Sequence, residues 1–177
     1  MTKGRGTIFE PLWVSSFGFI SSFVIRISDF VIVIMPYKYL EDIGTADIAF
    51  EATGCDLAEL FTAAADATMN VMIENLDAIA PREKRSIELE NDQIDMLLFD
   101  FLQELIYFKD ANRLLLRARN VDIEEKNGAY CLHATAEGET LDAARHQQRA
   151  DVKAVTLHHF KVEQIDNEWK ASVILDI

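Results

Sequence analysis

From Met35 onward, hydrophobic and polar residues recur along the chain with two different periods. A period near 3.6 residues is typical of an amphipathic helix, and a strict alternation is typical of a strand with one buried face. The helical period covers residues 57–72 and again residues 92–109. The apolar stripe of the second segment is wider than one contact face needs. We therefore expect this helix to be buried on more than one side or to form a subunit contact.

Capping and turn signals mark where these elements begin and end. Asp56 precedes the first helix and Glu59 follows three residues later, as in a capping box. The second helix is predicted to start at Asp92. Asn127-Gly128 is the clearest hairpin turn in the chain, and Asp166-Asn167 predicts another turn between the last two strands.

The alternating segments predict about seven strands. Together with two main helices, they indicate an α+β fold, a two-layer sandwich in which a mixed, mostly antiparallel sheet carries both helices on one face. A doubly wound parallel sheet would need more crossover helices. Residues 139–146 are expected to form a single helical turn. The predicted strands are residues 37–40 with 47–52 as a first strand or hairpin, 86–90, 113–117, 121–125, 130–137, 151–162 and 169–177.

The charge of the chain limits its direct partners. It carries 17 basic and 30 acidic residues, which gives a formal net charge of -13. Because the phosphate backbone would repel such a surface, direct nucleic-acid binding is not expected, and any RNA would have to be held by a partner protein. Cys55 and Cys131 lie far apart, in no CxxC and with no histidine at ligand spacing, which predicts buried free thiols in a reducing cytoplasm.

Candidate chemistry lies at the ends of two predicted strands. Asp47 starts a strand with its side chain away from the apolar face, and Asp176 stands next to the α-carboxylate of Ile177 at the end of another. Three anionic oxygen donors suit a hard cation such as Ca²⁺ or Mg²⁺, and the lack of a Cys/His cluster argues against structural zinc. From spacing alone, however, a terminal Asp-Ile is most often only a strand end.

Other polar residues of the last strands carry weaker signals. Lys153 alternates with apolar neighbours, so its simplest interpretation is a solvated strand lysine. His158 and His159 are adjacent and are expected to point to opposite faces, one packed and the other exposed. Phosphate-binding loops, nucleophile elbows and zinc-protease motifs do not occur in the sequence, so nothing in it supports a standard enzyme constellation.

Three segments of the chain resemble signatures of the archease family, the small proteins that assist RtcB-type RNA ligases. They cover nearly everything from Met35 onward, in the order found in that family. The segments are Gly44-Thr-Ala-Asp47-Ile-Ala-Phe, the helix Leu97-Leu-Phe-Asp-Phe-Leu-Gln-Glu-Leu-Ile-Tyr107, and the C-terminal stretch with Asp151-Val-Lys-Ala-Val-Thr, His158-His159-Phe-Lys-Val and Ile174-Leu-Asp-Ile.

The resemblance implies a role for each candidate residue. In archeases the corresponding aspartate and the last two residues coordinate a metal, which here are Asp47, Asp176 and Ile177, with Ca²⁺ as the first choice of ion and Mg²⁺ as the alternative. A lysine of the same motif matters for ligase activation, and it corresponds to Lys153. The implied function is that of a non-enzymatic, cytoplasmic accessory protein, which promotes ligase guanylylation and multiple turnover in tRNA splicing or RNA repair.

Two functions from other classes stay open. One is a metal-dependent hydrolase that uses Asp47 and Asp176, with Lys153 as an electrophile. The other is a chaperone-like or homo-oligomeric scaffold with the helix at residues 92–109 as its interface. The resemblance favours the ligase activator over both.

Residues 1–34 differ from the rest of the chain. The longest run without a charged residue, 11–25, is shorter than the roughly 20 residues that a membrane-spanning helix needs. Lys3 and Arg5 precede an apolar run, but no small-residue cleavage site follows as in a signal peptide. Met35-Pro36 is similar to the beginning of an archease. We therefore predict an extension from an upstream start codon over residues 1–34 and a domain over 35–177, with a membrane or signal element as the alternative.

Overall fold

The computed structural model describes the backbone of residues 23–27, 30–34, 36–40 and 47–177, and the side chains of 36–40 and 47–177. The described chain contains two α-helices, α1 (Leu57–Met72) and α2 (Ile94–Asn112), and a short 3-10 helix at Leu76–Ala78. Its strands are β1 (Phe23–Ile27), β2 (Phe30–Ile34), β3 (Tyr37–Leu40), β4 (Asp47–Gly54), β5 (Glu83–Asn91), β6 (Leu114–Lys126), β7 (Ala129–Thr140), β8 (Ala154–Ile165) and β9 (Glu168–Asp176).

The predicted α+β class, with two helices and mostly antiparallel strands, is confirmed. The domain strands form two separate antiparallel sheets, in the orders β3-β4-β9-β8 and β5-β7-β6, where a single sheet was expected. Alternation along a strand shows which face is buried, but the pairing of distant strands depends on packing and register. That is why the number of sheets did not follow from the pattern.

Much of the predicted N-terminal extension lies outside the described residues. Its described parts, β1 and β2, pair with each other in an antiparallel arrangement. Met35 is also outside the described ranges, so the predicted start at this residue stays a prediction. No helix in the described ranges is long and apolar enough to cross a membrane.

Helix α2 is buried along a broad face, as its sequence predicted. It packs against β5 and β6 of one sheet and against β8 of the other, which accounts for the width of its apolar stripe. Phe101 of α2 stacks on Phe61 of α1 with ring centroids 5.9 Å apart. The largest fully buried side chains of the described residues are Phe50, Leu60, Phe61, Met69, Ile73, Leu97, Leu98, Phe101, Leu102, Leu105, Leu115 and Leu116.

The two helices begin differently. Asp56 caps α1 as predicted, because its Oδ1 accepts a hydrogen bond of 2.8 Å from the backbone N–H of Glu59. Glu59 Oε2 accepts in turn from the N–H of Cys55, one residue earlier than in a standard capping box. The predicted start of α2 at Asp92 is wrong, since the helix begins at Ile94 after Gln93, which makes no capping hydrogen bond through its side chain.

Replacing Asp56 by Ala is expected to lower the free energy of unfolding by about 1 kcal/mol, because an N–H of the first turn of α1 loses its acceptor. Urea denaturation would measure the loss. Asp92→Ala is the matched control, since Asp92 also precedes a helix but is not its cap, and it is expected to leave the midpoint nearly unaltered. Equal losses from the two changes would contradict the assigned cap.

Both predicted turns are confirmed by backbone angles. Asn127 and Gly128 have φ values of 55° and 84°, and Asp166 and Asn167 have φ values of 51° and 67°. Positive φ at both central residues is the geometry of the type I′ hairpin. These two turns join β6 to β7 and β8 to β9.

Two local predictions fail in the second sheet. The strands expected at 113–117 and 121–125 are one strand, β6, which continues through an irregularity between Ala118 and Asn120. The helical turn expected at 139–146 is also wrong in its bounds. Glu139 still belongs to β7, and a turn forms later, where the Asp142 carbonyl accepts from the N–H of His146 at 2.8 Å.

Both cysteines are free, as predicted, but the expectation that they are buried is wrong. Cys55 is exposed and Cys131 is half-buried. Cys55 lies just before α1, where a hydrogen bond and the negative charge of Glu59 raise the pKa of its thiol. The thiol of Cys55 is therefore held in its protonated, less reactive form.

Candidate functional site

The antiparallel pairing of β4 with β9 brings two candidate carboxylates together. Asp47 lies directly opposite Asp176, and Ala154 of β8 lies opposite Asp176 on its other side. Residues directly opposite each other in an antiparallel pair share one face of the sheet. Phe50 and Leu175 face the core, so Asp47 and Asp176 lie on the outer face, where Asp47 is exposed and Asp176 half-buried.

Lys153 holds the end of the chain at this edge of the sheet. Its backbone N–H donates to the Asp176 carbonyl at 2.9 Å, and its Nζ donates to the main-chain oxygen of Ile177, also at 2.9 Å. The Ile177 side chain packs against the core on the other face. The structure therefore brings together the four residues that the sequence singled out, which are Asp47, Lys153, Asp176 and Ile177. Ile177 is held by the hydrogen bond from Lys153 and by the packing of its side chain on the core.

The carboxylates on the outer face of this sheet differ in whether they form ion pairs with lysines. Glu51 forms ion pairs with Lys38 at 2.8 Å and Lys170 at 2.6 Å. The hydrogen bond from Lys170, followed by that from Lys38, lowers the pKa of Glu51 below its ordinary value. Within the described part of the chain, neither the Asp47 nor the Asp176 side chain forms an ion pair. Like charges directly opposite each other destabilise a strand pair, so this edge would gain from a cation.

The donor set is suited to a hard cation. Asp47 and Asp176 contribute carboxylate oxygens, and in a chain that ends at Ile177 the oxygen held by Lys153 belongs to an α-carboxylate. Ca²⁺ and Mg²⁺ prefer such oxygen ligands. Among residues 36–40 and 47–177, no three His, Cys, Asp or Glu side chains are grouped to hold a metal. The α-carboxylate would have to supply the third anionic group.

The two adjacent histidines are placed differently from the prediction. His158 and His159 are both exposed, and their ring centroids lie only 4.0 Å apart. Opposite faces were expected from a regular strand, but the pairing of β8 with β9 is interrupted between Thr156 and Lys161, and His159 has a φ of 54°. The alternation of faces fails in such an irregular segment.

Two residues of α2 that no sequence pattern singled out, Gln103 and Lys109, contact the segment around Lys153. Lys109 Nζ donates to Asp151 Oδ1 at 2.6 Å and to the Val152 carbonyl at 2.8 Å, and Gln103 Oε1 accepts from the N–H of Val155 at 2.9 Å. Their partners lie more than forty positions away in sequence. No local pattern could have indicated these contacts.

The chain matches a known family over almost its whole described length. A model of the Archease protein family (MTH1598/TM1083) matches residues 37–177. The chain belongs to the archease family. The resemblance of its three sequence segments to archease signatures is thereby confirmed.

Individual archeases are similar over most of their length. The archease of Pyrococcus abyssi is 37% identical over 134 residues, which cover 75% of this chain and 94% of that protein. The archease of Methanosarcina barkeri is 37% identical over 142 residues, which cover 80% and 95% of the two chains.

Two solved structures share the fold. The solution structure of a Methanobacterium thermoautotrophicum protein is 35% identical, with a TM-score of 0.72 over 81% of this chain and 100% of that one. The crystal structure of a Thermotoga maritima archease is 20% identical, with a TM-score of 0.50 over 78% and 97% of the two chains. The second likeness supports the archease fold alone.

Proposed function

We propose that this archease activates an RtcB-type RNA ligase through a divalent cation held by Asp47, Asp176 and the α-carboxylate of Ile177. The observation that carries the proposal is the pair of facing carboxylates, which form no ion pair within the described part of the chain, at the edge where Lys153 holds Ile177. The archease is a non-catalytic partner of the ligase in this proposal. It promotes ligase guanylylation and multiple turnover in tRNA splicing or RNA repair.

The arrangement of donors favours Ca²⁺ over Mg²⁺. Ca²⁺ accepts about six to eight oxygen ligands in flexible geometry, whereas Mg²⁺ requires a near-ideal octahedron and gives up its waters reluctantly. The protein groups come from two strand ends, and one of them, Asp47, is exposed. Water can therefore complete the coordination shell without a closed protein cage.

Lys153 has a positioning role and a recognition role in the proposed function. Its hydrogen bond to Ile177 orients one cation ligand, and its location on an exposed edge lets the ammonium meet an anionic group of the ligase or of its nucleotide. The acidic surface of the chain agrees with contact to the ligase rather than to RNA, since a net charge of -13 repels phosphates. The ligase holds the RNA.

The proposal is tested by two changes that alter the donor set. Asp47→Asn removes one carboxylate charge, and a short peptide added after Ile177 displaces the α-carboxylate. Each change is expected to weaken Ca²⁺ binding at least tenfold, equivalent to about 1.4 kcal/mol, and to reduce activation of the ligase in parallel. Calorimetric titration with Ca²⁺ and with Mg²⁺ would be run beside a multiple-turnover ligation assay.

Asp166→Asn is the matched control for Asp47→Asn. Asp166 lies in the turn at the opposite end of the β8–β9 hairpin and is exposed, and asparagine tolerates its positive φ of 51°. This variant is expected to bind Ca²⁺ and stimulate the ligase like the wild type. If Asp47→Asn and the extended chain also behave like the wild type, the assignment of this site is wrong.

A further inference from the structure

The Lys109 ammonium is completely partnered although it lies in a mostly buried side chain. Lys109 lies in the last turn of α2, and its side chain is 10% exposed. Nζ contacts Asp110 Oδ1 at 2.6 Å, Asp151 Oδ1 at 2.6 Å and the Val152 carbonyl at 2.8 Å. An ammonium has three N–H donors, so each donor has one acceptor. Burial lowers the pKa of Lys109, but hydrogen bonds to the two aspartates outweigh this and raise it above its ordinary value.

These contacts fix the backbone immediately before Lys153. Lys109 holds the carbonyl of Val152, whose side chain is completely buried, and Gln103 holds the N–H of Val155 at 2.9 Å. Helix α2 therefore holds the main chain on both sides of Lys153. From the opposite side, the carbonyl of Asp176 accepts from the N–H of Lys153. Residues 151–155 are thus clamped between α2 and the end of β9.

We propose that Lys109 is a positioning residue that fixes the backbone of Lys153 and, through Lys153, the Ile177 end of the cation site. Its effect on cation binding rests on the proposed function, whereas its effect on the Lys153 backbone does not. Groups that orient the ligands of a metal commonly change its affinity about tenfold to a hundredfold when they are removed. Lys109 would act one step farther from the cation than such groups, because it orients Lys153, which in turn holds the ligand Ile177.

A positioning role and a simple charge effect predict opposite changes in Ca²⁺ affinity when Lys109 is replaced by Met. Deleting a positive charge near a cation site should strengthen Ca²⁺ binding by Coulomb's law, and the freed carboxylate of Asp151 would add to that gain. If Lys109 positions Lys153, Lys109→Met should instead weaken Ca²⁺ binding. The backbone of Lys153 is then free to move, and the oxygen of Ile177 is no longer held in place.

The experiment combines Ca²⁺ titration with amide hydrogen exchange followed by NMR. Lys109→Met is expected to raise the Ca²⁺ dissociation constant about tenfold, at the lower end of outer-shell effects, and to speed exchange of the Lys153 N–H by a similar factor. Lys161→Met is the matched control. Lys161 lies in β8, the strand that follows Lys153, and its ion pair with Glu163 at 2.5 Å is more exposed than that of Lys109. The control is expected to bind Ca²⁺ as tightly as the wild type or slightly more tightly.

An amide in the middle of β7, such as that of Leu132, reports on global unfolding. The proposal is overturned if Lys153 exchange is unchanged in Lys109→Met, or if it rises only as much as exchange at Leu132. It is also overturned if the variant keeps or strengthens Ca²⁺ binding. If the wild type binds no Ca²⁺, the proposed function fails, and exchange at Lys153 alone then decides whether Lys109 is a positioning residue.

Discussion

Leu98→Asp is expected to unfold the domain. Leu98 is fully buried in α2, which packs against both sheets. An unpaired charge in such an environment costs several kcal/mol, and the lost apolar burial adds about 2 kcal/mol. A domain of this size is stable by only about 5 to 15 kcal/mol, so the combined loss is comparable with its total stability. Circular dichroism and urea denaturation would measure the loss of the folded state.

Tyr107→Asp is the control in the same helix, because Tyr107 is 58% exposed. A change at such a position is expected to alter the free energy of unfolding by no more than about 0.5 kcal/mol. A Leu98→Asp protein that stays folded, with a midpoint like that of Tyr107→Asp, would contradict the assigned core.

Glu139→Gln is expected to lower the urea midpoint of unfolding several times as much as Glu83→Gln, the same change in a less buried ion pair. The Glu139 side chain is almost fully buried and accepts from the N–H of Ala80 at 2.9 Å and from both terminal nitrogens of Arg145, at 2.6 Å and 2.9 Å. Arg82 Nε lies 3.2 Å from the carboxylate. His146 Nε2 lies 3.1 Å from it. The carboxylate therefore joins the end of β7 to the loops before β5 and after β7.

The tautomer of His146 follows from its two neighbours. Its Nδ1 accepts a hydrogen bond from the N–H of Asp142 at 2.9 Å. The hydrogen of a neutral ring must then lie on Nε2, which donates to Glu139. Glutamine at position 139 would keep an acceptor for one of these donors, but it would lose the negative charge that pairs with Arg145 and would place an NH₂ group among donors.

The same carboxylate predicts a pH dependence. Hydrogen bonds from Arg145, then from Ala80, hold the pKa of Glu139 far below its ordinary value of 4.5 despite burial. A folded pKa below the unfolded one stabilises the protein above the unfolded value, and this contribution is lost as the pH falls towards the folded pKa. The wild type should therefore lose stability below about pH 4.5, whereas this part of the loss is absent from Glu139→Gln.

Urea midpoints measured from neutral pH downward would show the difference. Glu83→Gln is the control, because Glu83 is 37% exposed and pairs with Arg85 near the surface. Such surface pairs contribute about 1 kcal/mol or less. Equal losses in the two variants, or an unchanged acid dependence in Glu139→Gln, would show that the buried carboxylate is not a structural anchor.

Much of the local structure followed from the sequence because its causes are local. The capping residues Asp56 and Glu59 identified the start of α1. The turn residues Asn127-Gly128 and Asp166-Asn167 identified two hairpins, because their backbone angles require residues that tolerate positive φ. The predictions failed where the pairing of distant strands overrides the local sequence pattern. His158 and His159 lost their regular alternation because β8 departs from the register of β9.

The sequence by itself determined the archease identity, the α+β class and the four candidate residues, because motifs, periodicity and turn chemistry can be recognised over short distances. Only the tertiary structure decided that Asp47 faces Asp176, that Lys153 reaches Ile177, and that Lys109 of α2 donates to the Val152 carbonyl next to Lys153. The register between two strands from opposite ends of the domain is set by how their buried faces pack, and a shift of one residue would turn the carboxylates to the other face. That choice depends on the whole core, which no short segment of the chain contains.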